Sequence, residues 1–297
     1  MSYCLINGRT VPAAKAVISV QDRGFRYGDG VFETIAVHGG VPYQFDWHMT
    51  RLAEGLRSIK IPFVVDSLRG HCRQLLRKNK LDAGVLRIQV TRGIGNRGYL
   101  PGKAGAMFVI ETMPMPPVPQ APVTLLQSSY SRVSARALPV RYKLSQGLNS
   151  TLARLEAAEN ECFDALLLNE HGQVCETSSA NIFWFRKDTL YTPSLSCGVL
   201  EGATRSAVMR LSPYPLKEVT AAGIETLMQA EAVFITNTVW KTIAVNRLLP
   251  SKCHWNSEEI TIQFHRLLTQ DRKNYSQLHH KEWPAIQKNM AKRRKLG

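Results

Sequence analysis

Hydrophobic and polar residues alternate at the start of the chain, as expected for strands of a half-buried sheet. The segments YCLI and RTVP flank Asn7 and Gly8, which is the signature of a β-hairpin with a two-residue turn. Residues 34–45 repeat this pattern around a Gly-Gly pair. Asp46 follows at the expected N-cap position of a helix, because apolar residues recur at helical spacing after it. The next predicted elements are a helix at roughly 65–79 and buried strands at 85–92 and 106–112.

A proline-rich segment separates this region from the rest of the chain. Residues 113–122 contain five prolines, which can neither continue a helix nor donate a full ladder of hydrogen bonds to a sheet. Beyond it the pattern predicts a strand (PVTLLQSSY), a helix (STLARLEAAENE) and further strands (ALLLN, QVCET, NIFWF and TLYTP). The predicted organisation is an α+β protein with an N-terminal α/β domain at 1–113, a linker at 114–122, a C-terminal α/β domain at 123–270 and a basic extension at 271–297.

The composition is that of a soluble globular protein, with 44% hydrophobic and 21% charged residues. No apolar run approaches the ~18–20 residues that a membrane helix needs, so we expect no membrane span. The first residues lack the features of a secretory signal, and we expect a cytoplasmic protein. Six cysteines are scattered without metal-ligand spacing, which favours reduced thiols and no metal site.

The formal net charge of +15 is high and is unevenly distributed. Eight of the basic residues and only two acidic ones lie in residues 271–297, the basic extension. We interpret its end, KNMAKRRKLG (288–297), as solvated or weakly ordered, with a nonspecific anion-binding arm as the alternative. Charge alone also suggests a nucleic-acid-binding protein, but the ordered motifs described below argue against that hypothesis. The excess charge elsewhere favours an anionic cofactor or substrate through its long-range field.

Two clusters of small polar residues are candidates for binding phosphate. Gly202, Ala203 and Thr204 fall at the expected first turn of a helix, where exposed amides and a hydroxyl could bind phosphate oxygens. Thr236 and Thr238 flank Asn237 directly after a predicted strand and offer further donors. The alternatives are an ordinary strand-to-helix turn for the first cluster and a plain loop for the second.

Other candidate residues are charged. Arg51 lies in the helix that opens at Asp46, and its guanidinium suits phosphate oxygens, although most helical arginines lie at the surface. Glu176 ends an apolar strand and could face a ligand or hold a turn. The loop GIGNRGYLP matches neither a P-loop nor a dinucleotide fingerprint. Its Arg97 and Tyr99 suit a ring compound that bears a carboxylate.

Six motifs in this order resemble the fold-type IV pyridoxal-phosphate enzymes, the family of branched-chain and D-amino-acid aminotransferases and aminodeoxychorismate lyase. The resemblance spans about residues 3–250 and implies the two-domain fold of the D-amino-acid aminotransferases, in which each domain is a sheet with packed helices. The motifs are RGFRYGDGVFET (23–34), HMTRL (48–52), the lysine at 143 before a helix, CETSSANIF (175–183), LEGATR (200–205) and TNTV (236–239).

The resemblance implies a role for each matching position. Lys143 matches the lysine that holds pyridoxal 5'-phosphate covalently and, once displaced by the substrate amine, transfers protons. Glu176 matches the carboxylate that pairs with the pyridine nitrogen, which favours the ring as an electron sink. The implied phosphate contacts are Arg51, the amides of Ala203 and Thr204, and the region of Thr238.

Within the family, RGIGNRGY (92–99) resembles the RGxGxRGY loop of bacterial aminodeoxychorismate lyases, and Phe32-Glu33-Thr34 departs from patterns typical of the aminotransferases. We therefore expect a lyase that forms 4-aminobenzoate and pyruvate, with an aminotransferase as the alternative. Lyases commonly read KxLN where this chain has Lys143-Leu144-Ser145-Gln146. Arg97 is the expected ligand of a substrate carboxylate, with Tyr99 shaping the ring pocket and Thr34 near the reacting face. The resemblance also implies a homodimer in which a loop of the partner can reach the site.

Overall fold

The predicted first hairpin is present, with Asn7 and Gly8 in the left-handed region at φ 47° and 82°. The computed structural model describes residues 2–251 and 253–283. Within them, the N-terminal sheet has six strands in the order β2-β1-β6-β5-β3-β4, and all of its pairs are antiparallel. The strands are β1 (Tyr3–Ile6), β2 (Arg9–Pro12), β3 (Gly30–His38), β4 (Val41–Pro42), β5 (Ala83–Thr91) and β6 (Met107–Met113).

Helices pack on this sheet, because each of its two long helices has apolar residues along one face and buries them against the strands. The helices of this half are α1 (Arg23–Tyr27), α2 (Phe45–Ser58) and α3 (Leu68–Asn79). Leu52 and Leu56 of α2 and Leu75 of α3 are 0–1% exposed and pack against Ile35 and Ile88 of the central strands. Helical spacing of apolar residues in the sequence therefore corresponds to burial on one face.

Helix α2 begins slightly earlier than the sequence indicates. Its N-cap residue is Gln44, in the left-handed region at φ 52°, and Asp46 lies inside the first turn rather than at the cap. Placing Asp46 at the cap was therefore wrong by two residues. An acidic side chain in the first turn still interacts favourably with the helix dipole.

The second sheet begins at Val123, after the proline-rich segment. Its strands are β7 (Val123–Gln127), β8 (Asp164–Leu168), β9 (Val174–Thr177), β10 (Asn181–Arg186), β11 (Thr189–Pro193), β12 (Leu216–Val219), β13 (Ala232–Asn237), β14 (Lys241–Leu249) and β15 (Cys253–His254). Among the described residues the order is β12-β11-β10-β13-β14-β7-β8-β9, and β15 pairs with β14. Strand β9 also returns to β10 through the single pair Glu176–Asn181, so the central strands form a closed ring.

Among the described residues, four α-helices follow the start of the second sheet, namely α4 (Leu148–Glu159), α5 (Ala203–Leu211), α6 (Ile224–Met228) and α7 (Glu258–His279). Helix α7 continues through the expected boundary at 270 and ends at residue 279. Trp283, which follows α7, is 4% exposed and belongs to the core of the N-terminal sheet. The predicted boundary at 270 therefore falls inside α7, and the segment predicted to be solvated, 288–297, lies outside the described residues.

The observed architecture, with two sheets and helices packed on them, confirms the α+β prediction. In the described part of the chain, no helix is long and apolar enough to cross a membrane.

Candidate active site

A cavity of about 350 Å³ opens between the two sheets. Its walls combine strand β3, the segment before α4, the turn between β9 and β10, the first turn of α5 and the turn after β13. Among the predicted site residues, the cavity is lined by Thr34, Arg51, Lys143, Glu176, Ala203, Thr204 and Thr238. The fold thus brings together residues that are up to about 200 positions apart in the sequence.

Lys143 is positioned by an extended segment that crosses from the second half of the chain onto β3. The amide of Phe32 donates to the carbonyl of Lys143 at 2.9 Å, and the amide of Ser145 donates to the carbonyl of Gly30 at 2.9 Å. These bonds hold the Lys143 ammonium 4.6 Å from the centre of the Phe32 ring. Burial and then the charge of Arg51 lower the pKa of Lys143 to about 8. The amine can therefore lose its proton at near-neutral pH, as a nucleophile or general base requires.

Glu176 lies where β9 and β10 close the ring, and it is 6% exposed. Its Oε2 accepts hydrogen bonds from Asn181 Nδ2 and the amide of Leu200, both at 2.9 Å. Its Oε1 lies 2.9 Å from Arg132 Nη2. These donors fix the orientation of the carboxylate on the cavity wall. Asn181 and Arg132 were not predicted from the sequence.

The first turn of α5 forms another wall. Gly202 is its N-cap residue, with Ala203 and Thr204 in the first helical turn. A Cβ atom on Gly202 would lie 2.1 Å from Asn181 Oδ1, so the close approach of the helix to Asn181 requires glycine. Backbone N–H groups at a helix start have no partner within the helix and attract anions.

Two hydroxyl groups beside this turn have no hydrogen-bond partner in the described part of the chain. Oγ1 of Thr204 and Oγ1 of Thr236 are buried, and neither forms a hydrogen bond with any part of the chain that the structure describes. Both residues line the cavity. An unpaired buried hydroxyl is costly, and a ligand rich in oxygen would satisfy it. Together with the amides of α5, these groups fit the phosphate of pyridoxal phosphate.

Arg51 is held by a carboxylate that sequence reasoning missed. Glu33 on β3 is 0% exposed, and its two oxygens lie 2.7 Å from Nε and 2.6 Å from Nη2 of Arg51. Nη1 of Arg51 donates to the carbonyl of Glu201. Each terminal nitrogen carries a second N–H that can bind a ligand anion. Burial opposes the charged form of Glu33, but the charge of Arg51 and the hydrogen bonds from His48 and Arg51 outweigh it and lower the pKa of Glu33 to about 2.

His48 completes this buried group. Its Nδ1 lies 2.7 Å from Glu33 Oε2, while Nε2 is buried and has no hydrogen-bond partner among the described residues. Burial lowers the pKa of His48, against the attraction of Glu33. A neutral imidazole that donates from Nδ1 accounts for both observations. The motif HMTRL contains both His48 and Arg51, but their shared partner was not visible in the sequence because it lies on strand β3 and not on their own helix.

A second arginine was also missed. Arg87 on β5 is the cross-strand partner of Thr34, and cross-strand partners project on the same face of a sheet. Its guanidinium carbon lies 4.1 Å from the centre of the Phe32 ring, beside the cavity. Burial lowers the pKa of Arg87, against the attraction of Glu111. The alternation of apolar and polar residues in VLRIQV could have indicated that Arg87 and Gln89 share one face of the strand.

The structure does not bring Arg97 and Tyr99 into the cavity of their own chain. Nη1 of Arg23 donates to the carbonyls of Asn96 and Gly98, each at 2.8 Å. The amide of Gly98 also donates to the hydroxyl of Tyr27 at 2.9 Å. These contacts hold the loop backbone, while Arg97 is exposed and Tyr99 is 92% exposed.

Comparison with known proteins finds related chains over most of this length. Residues 30–248 match the family described as amino-transferase class IV. One relative is a protein of Methanocaldococcus jannaschii that is provisionally assigned as a branched-chain-amino-acid aminotransferase. It is 33% identical to this chain, and the match covers 81% of this chain and 85% of the relative. The aminodeoxychorismate lyase of Bacillus subtilis is 28% identical over 91% of this chain and 94% of its own.

A solved structure shares the whole architecture. A branched-chain amino acid aminotransferase of T.th. with pyridoxamine 5'-phosphate superimposes with a TM-score of 0.85, is 25% identical, and covers 93% of this chain and 97% of its own. This likeness confirms the predicted fold-type IV architecture. The similar proteins include both lyases and aminotransferases.

Proposed function

The chain belongs to the class IV aminotransferase family, whose members use pyridoxal phosphate, and on that premise we propose that it is an aminodeoxychorismate lyase. The reaction converts 4-amino-4-deoxychorismate to 4-aminobenzoate and pyruvate. Substrate and products have the same atoms in sum, so no oxidant, reductant or water is consumed. The observation that carries the lyase assignment is the loop RGIGNRGY, with Arg97 and Tyr99 presented outward by a backbone that Arg23 holds.

The cofactor fits this cavity at both ends. The amides of Ala203 and Thr204, the unpaired hydroxyls of Thr204 and Thr236, and Arg51 would hold its phosphate. Glu176 would face the pyridine nitrogen, and Lys143 would hold the aldehyde carbon. When bound, the cofactor supplies an electron sink for the carbon that bears the substrate amine.

The residues of the chain supply orientation and proton transfer. The Lys143 amine, whose pKa is lowered to about 8, accepts the proton from the ring carbon that bears the substrate amine. Cleavage of the bond between the ring and the ether oxygen then releases enolpyruvate, which takes up a proton and becomes pyruvate. The ring left behind is aromatic, which makes the elimination favourable. The cation of Arg51 lowers the pKa of Lys143, whereas the carboxylates of Glu33 and Glu176 raise it, so these neighbours tune the amine in opposite directions.

The substrate carries two carboxylates, and the cavity region offers cations for them. Arg87 lies beside the Phe32 ring, on the same face of the N-terminal sheet as Thr34. We assign Arg97 and Tyr99 to the cavity of a second copy of the chain in a homodimer, because their own cavity does not include them. Arg97 would bind a substrate carboxylate there, with Tyr99 against the ring.

The test of the lyase proposal is a direct assay. Purified protein loaded with pyridoxal phosphate is incubated with 4-amino-4-deoxychorismate, and 4-aminobenzoate and pyruvate are measured. We expect equal amounts of the two products from the native chain and none above background from Lys143→Ala. Absence of 4-aminobenzoate from a protein that binds the cofactor would contradict the lyase proposal.

The second candidate is an aminotransferase that acts on branched-chain or D-amino acids, and the 33% identical relative favours it. The same cavity would serve, with the amino group transferred to a 2-oxo acid. Incubation with D-alanine or a branched-chain amino acid and 2-oxoglutarate separates the two proposals, because only an aminotransferase accumulates glutamate.

A further inference from the structure

The turn between β13 and β14 borders the end of the cavity where the unpaired hydroxyls lie. Thr238 and Val239 of this turn line the cavity. The turn is held from within by Asn237, whose Oδ1 accepts hydrogen bonds from the amides of Val239 at 3.0 Å and Trp240 at 2.9 Å. Asn237 Nδ2 also donates to the carbonyl of Ser179 at 3.3 Å, which joins the turn to the one between β9 and β10.

Arg272 of helix α7 makes a further contact with this turn. Its Nη2 donates to the carbonyl of Thr238 at 2.7 Å, from a side chain that is 5% exposed. Helix α7 also meets the strand that leaves the turn, because Thr242 Oγ1 donates to the carbonyl of Thr261 at 3.2 Å. Helix α7 (Glu258–His279) lies beyond residues 30–248, the region that matches the family.

The charge of Arg272 is attracted by that of the neighbouring Asp271, but the two form no salt bridge in the described residues. In residues 2–251 and 253–283, Arg272 forms no salt bridge, and the neighbouring Asp271 is bound by Arg210 Nη2 at 2.8 Å and by the hydroxyl of Tyr43. Lys241 adds positive charge nearby, and burial and the charge of Arg272 lower its pKa. Burial also lowers the pKa of Arg272 to about 10, so the guanidinium remains charged at neutral pH.

A buried cation without a carboxylate partner is costly, and an anion bound on the other side of the turn would offset this cost. Helix α7 also ties the turn to the N-terminal half of the chain. The guanidinium carbon of Arg272 lies 5.3 Å from the centre of the Tyr43 ring, and Ser276, one turn further along α7, donates to the carbonyl of His38 at 2.9 Å.

We propose that Arg272 is a positioning residue for the phosphate of the cofactor: it holds the Thr238 carbonyl so that the turn faces the phosphate, and its charge favours the bound anion. The inference rests on the proposed cofactor site. It predicts a defect that depends on the phosphate group of the ligand rather than on the aldehyde or ring.

The experiment compares the native chain with Arg272→Met, Arg272→Lys and Arg266→Met. Arg266 is exposed on the same helix, so its loss removes one charge without touching the turn. Affinity of the cofactor-free protein is measured for pyridoxal phosphate, for pyridoxal without phosphate, and for inorganic phosphate as a competitor. Urea unfolding of each cofactor-free variant measures its stability.

We expect Arg272→Met to weaken binding of pyridoxal phosphate and of inorganic phosphate roughly tenfold or more, which is the effect of losing a charged hydrogen bond. Binding of pyridoxal should weaken by less than about twofold. Arg272→Lys should recover part of the loss, and Arg266→Met should match the native chain. Equal weakening of pyridoxal phosphate and pyridoxal, or no weakening of either, would overturn the inference. If Arg272→Met does not fold, the same comparison for Arg272→Lys decides. Failure of the native chain to bind pyridoxal phosphate would instead count against the proposed function.

Discussion

Glu33 binds Arg51 through both carboxylate oxygens, at 2.7 Å from Nε and 2.6 Å from Nη2. The pair is buried, and it fixes the guanidinium on the wall of the cavity. After burial, the charge of Arg51 is the largest influence that lowers the pKa of Lys143. This ion pair therefore orients Arg51, which is predicted to bind the cofactor phosphate, and it influences the protonation of Lys143.

Replacing Glu33 with glutamine should destabilise the protein in a pH-dependent way. The pKa of Glu33 is about 2 in the folded protein, below its ordinary value, so its stabilising contribution is present above pH ~4.3 and is lost as the pH falls toward 2. We expect Glu33→Gln to lower the free energy of unfolding by about 3 kcal/mol at pH 7 and by less at pH 3. Urea unfolding at the two pH values measures this. Glu159→Gln, an exposed residue of α4, is the control, and an equal loss in both variants would contradict the prediction.

Lys143 should destabilise the cofactor-free protein at neutral pH. Its pKa is about 8 in the folded protein and higher in the unfolded chain, so the unfolded state binds more protons between pH ~8 and pH ~10.4 and stability rises with pH there. We expect Lys143→Met to raise the free energy of unfolding by about 1–3 kcal/mol at pH 7, with the gain reduced at pH 10. Lys103→Met, at an exposed loop position, should change stability little. A gain from Lys143→Met that stays constant with pH would refute this explanation.

The hydroxyls of Thr204 and Thr236 should matter for the cofactor and not for folding. Both are buried without a partner in the described chain, so Thr204→Val and Thr236→Val should leave the stability of the cofactor-free protein unchanged or slightly higher. We expect each substitution to weaken binding of pyridoxal phosphate about fivefold to tenfold, measured by titration.

A matched threonine provides the control for these two. Thr192 is also buried, but its Oγ1 donates to the carbonyl of Ile182 at 2.9 Å. Thr192→Val should therefore cost about 1 kcal/mol of stability without changing cofactor affinity. The interpretation of Thr204 and Thr236 fails if their valine variants behave as Thr192→Val does.

Local patterns in the sequence were sufficient for many elements of the fold. The Asn7-Gly8 hairpin, helix α2 and the start of α5 at Ala203 follow from turn chemistry and apolar spacing, which act over a few residues. The extent of α7 could not be located in this way. The pattern of α7 is mostly polar, and only packing against the N-terminal sheet explains why the helix continues past residue 270 and why Trp283 is buried.

The sequence by itself determined which residues could carry the chemistry: a lysine before a helix, an acid at the end of a strand and small donors at a helix start, because these are local combinations of residue types. Only the tertiary structure decided how they are used. The pairing of Glu33 with Arg51, the ring closure that orients Glu176, and the contact of Arg272 with Thr238 each join separate elements, and burial rather than sequence order sets their strength. The outward placement of Arg97 and Tyr99 likewise depends on Arg23, which lies more than 70 residues away in the chain.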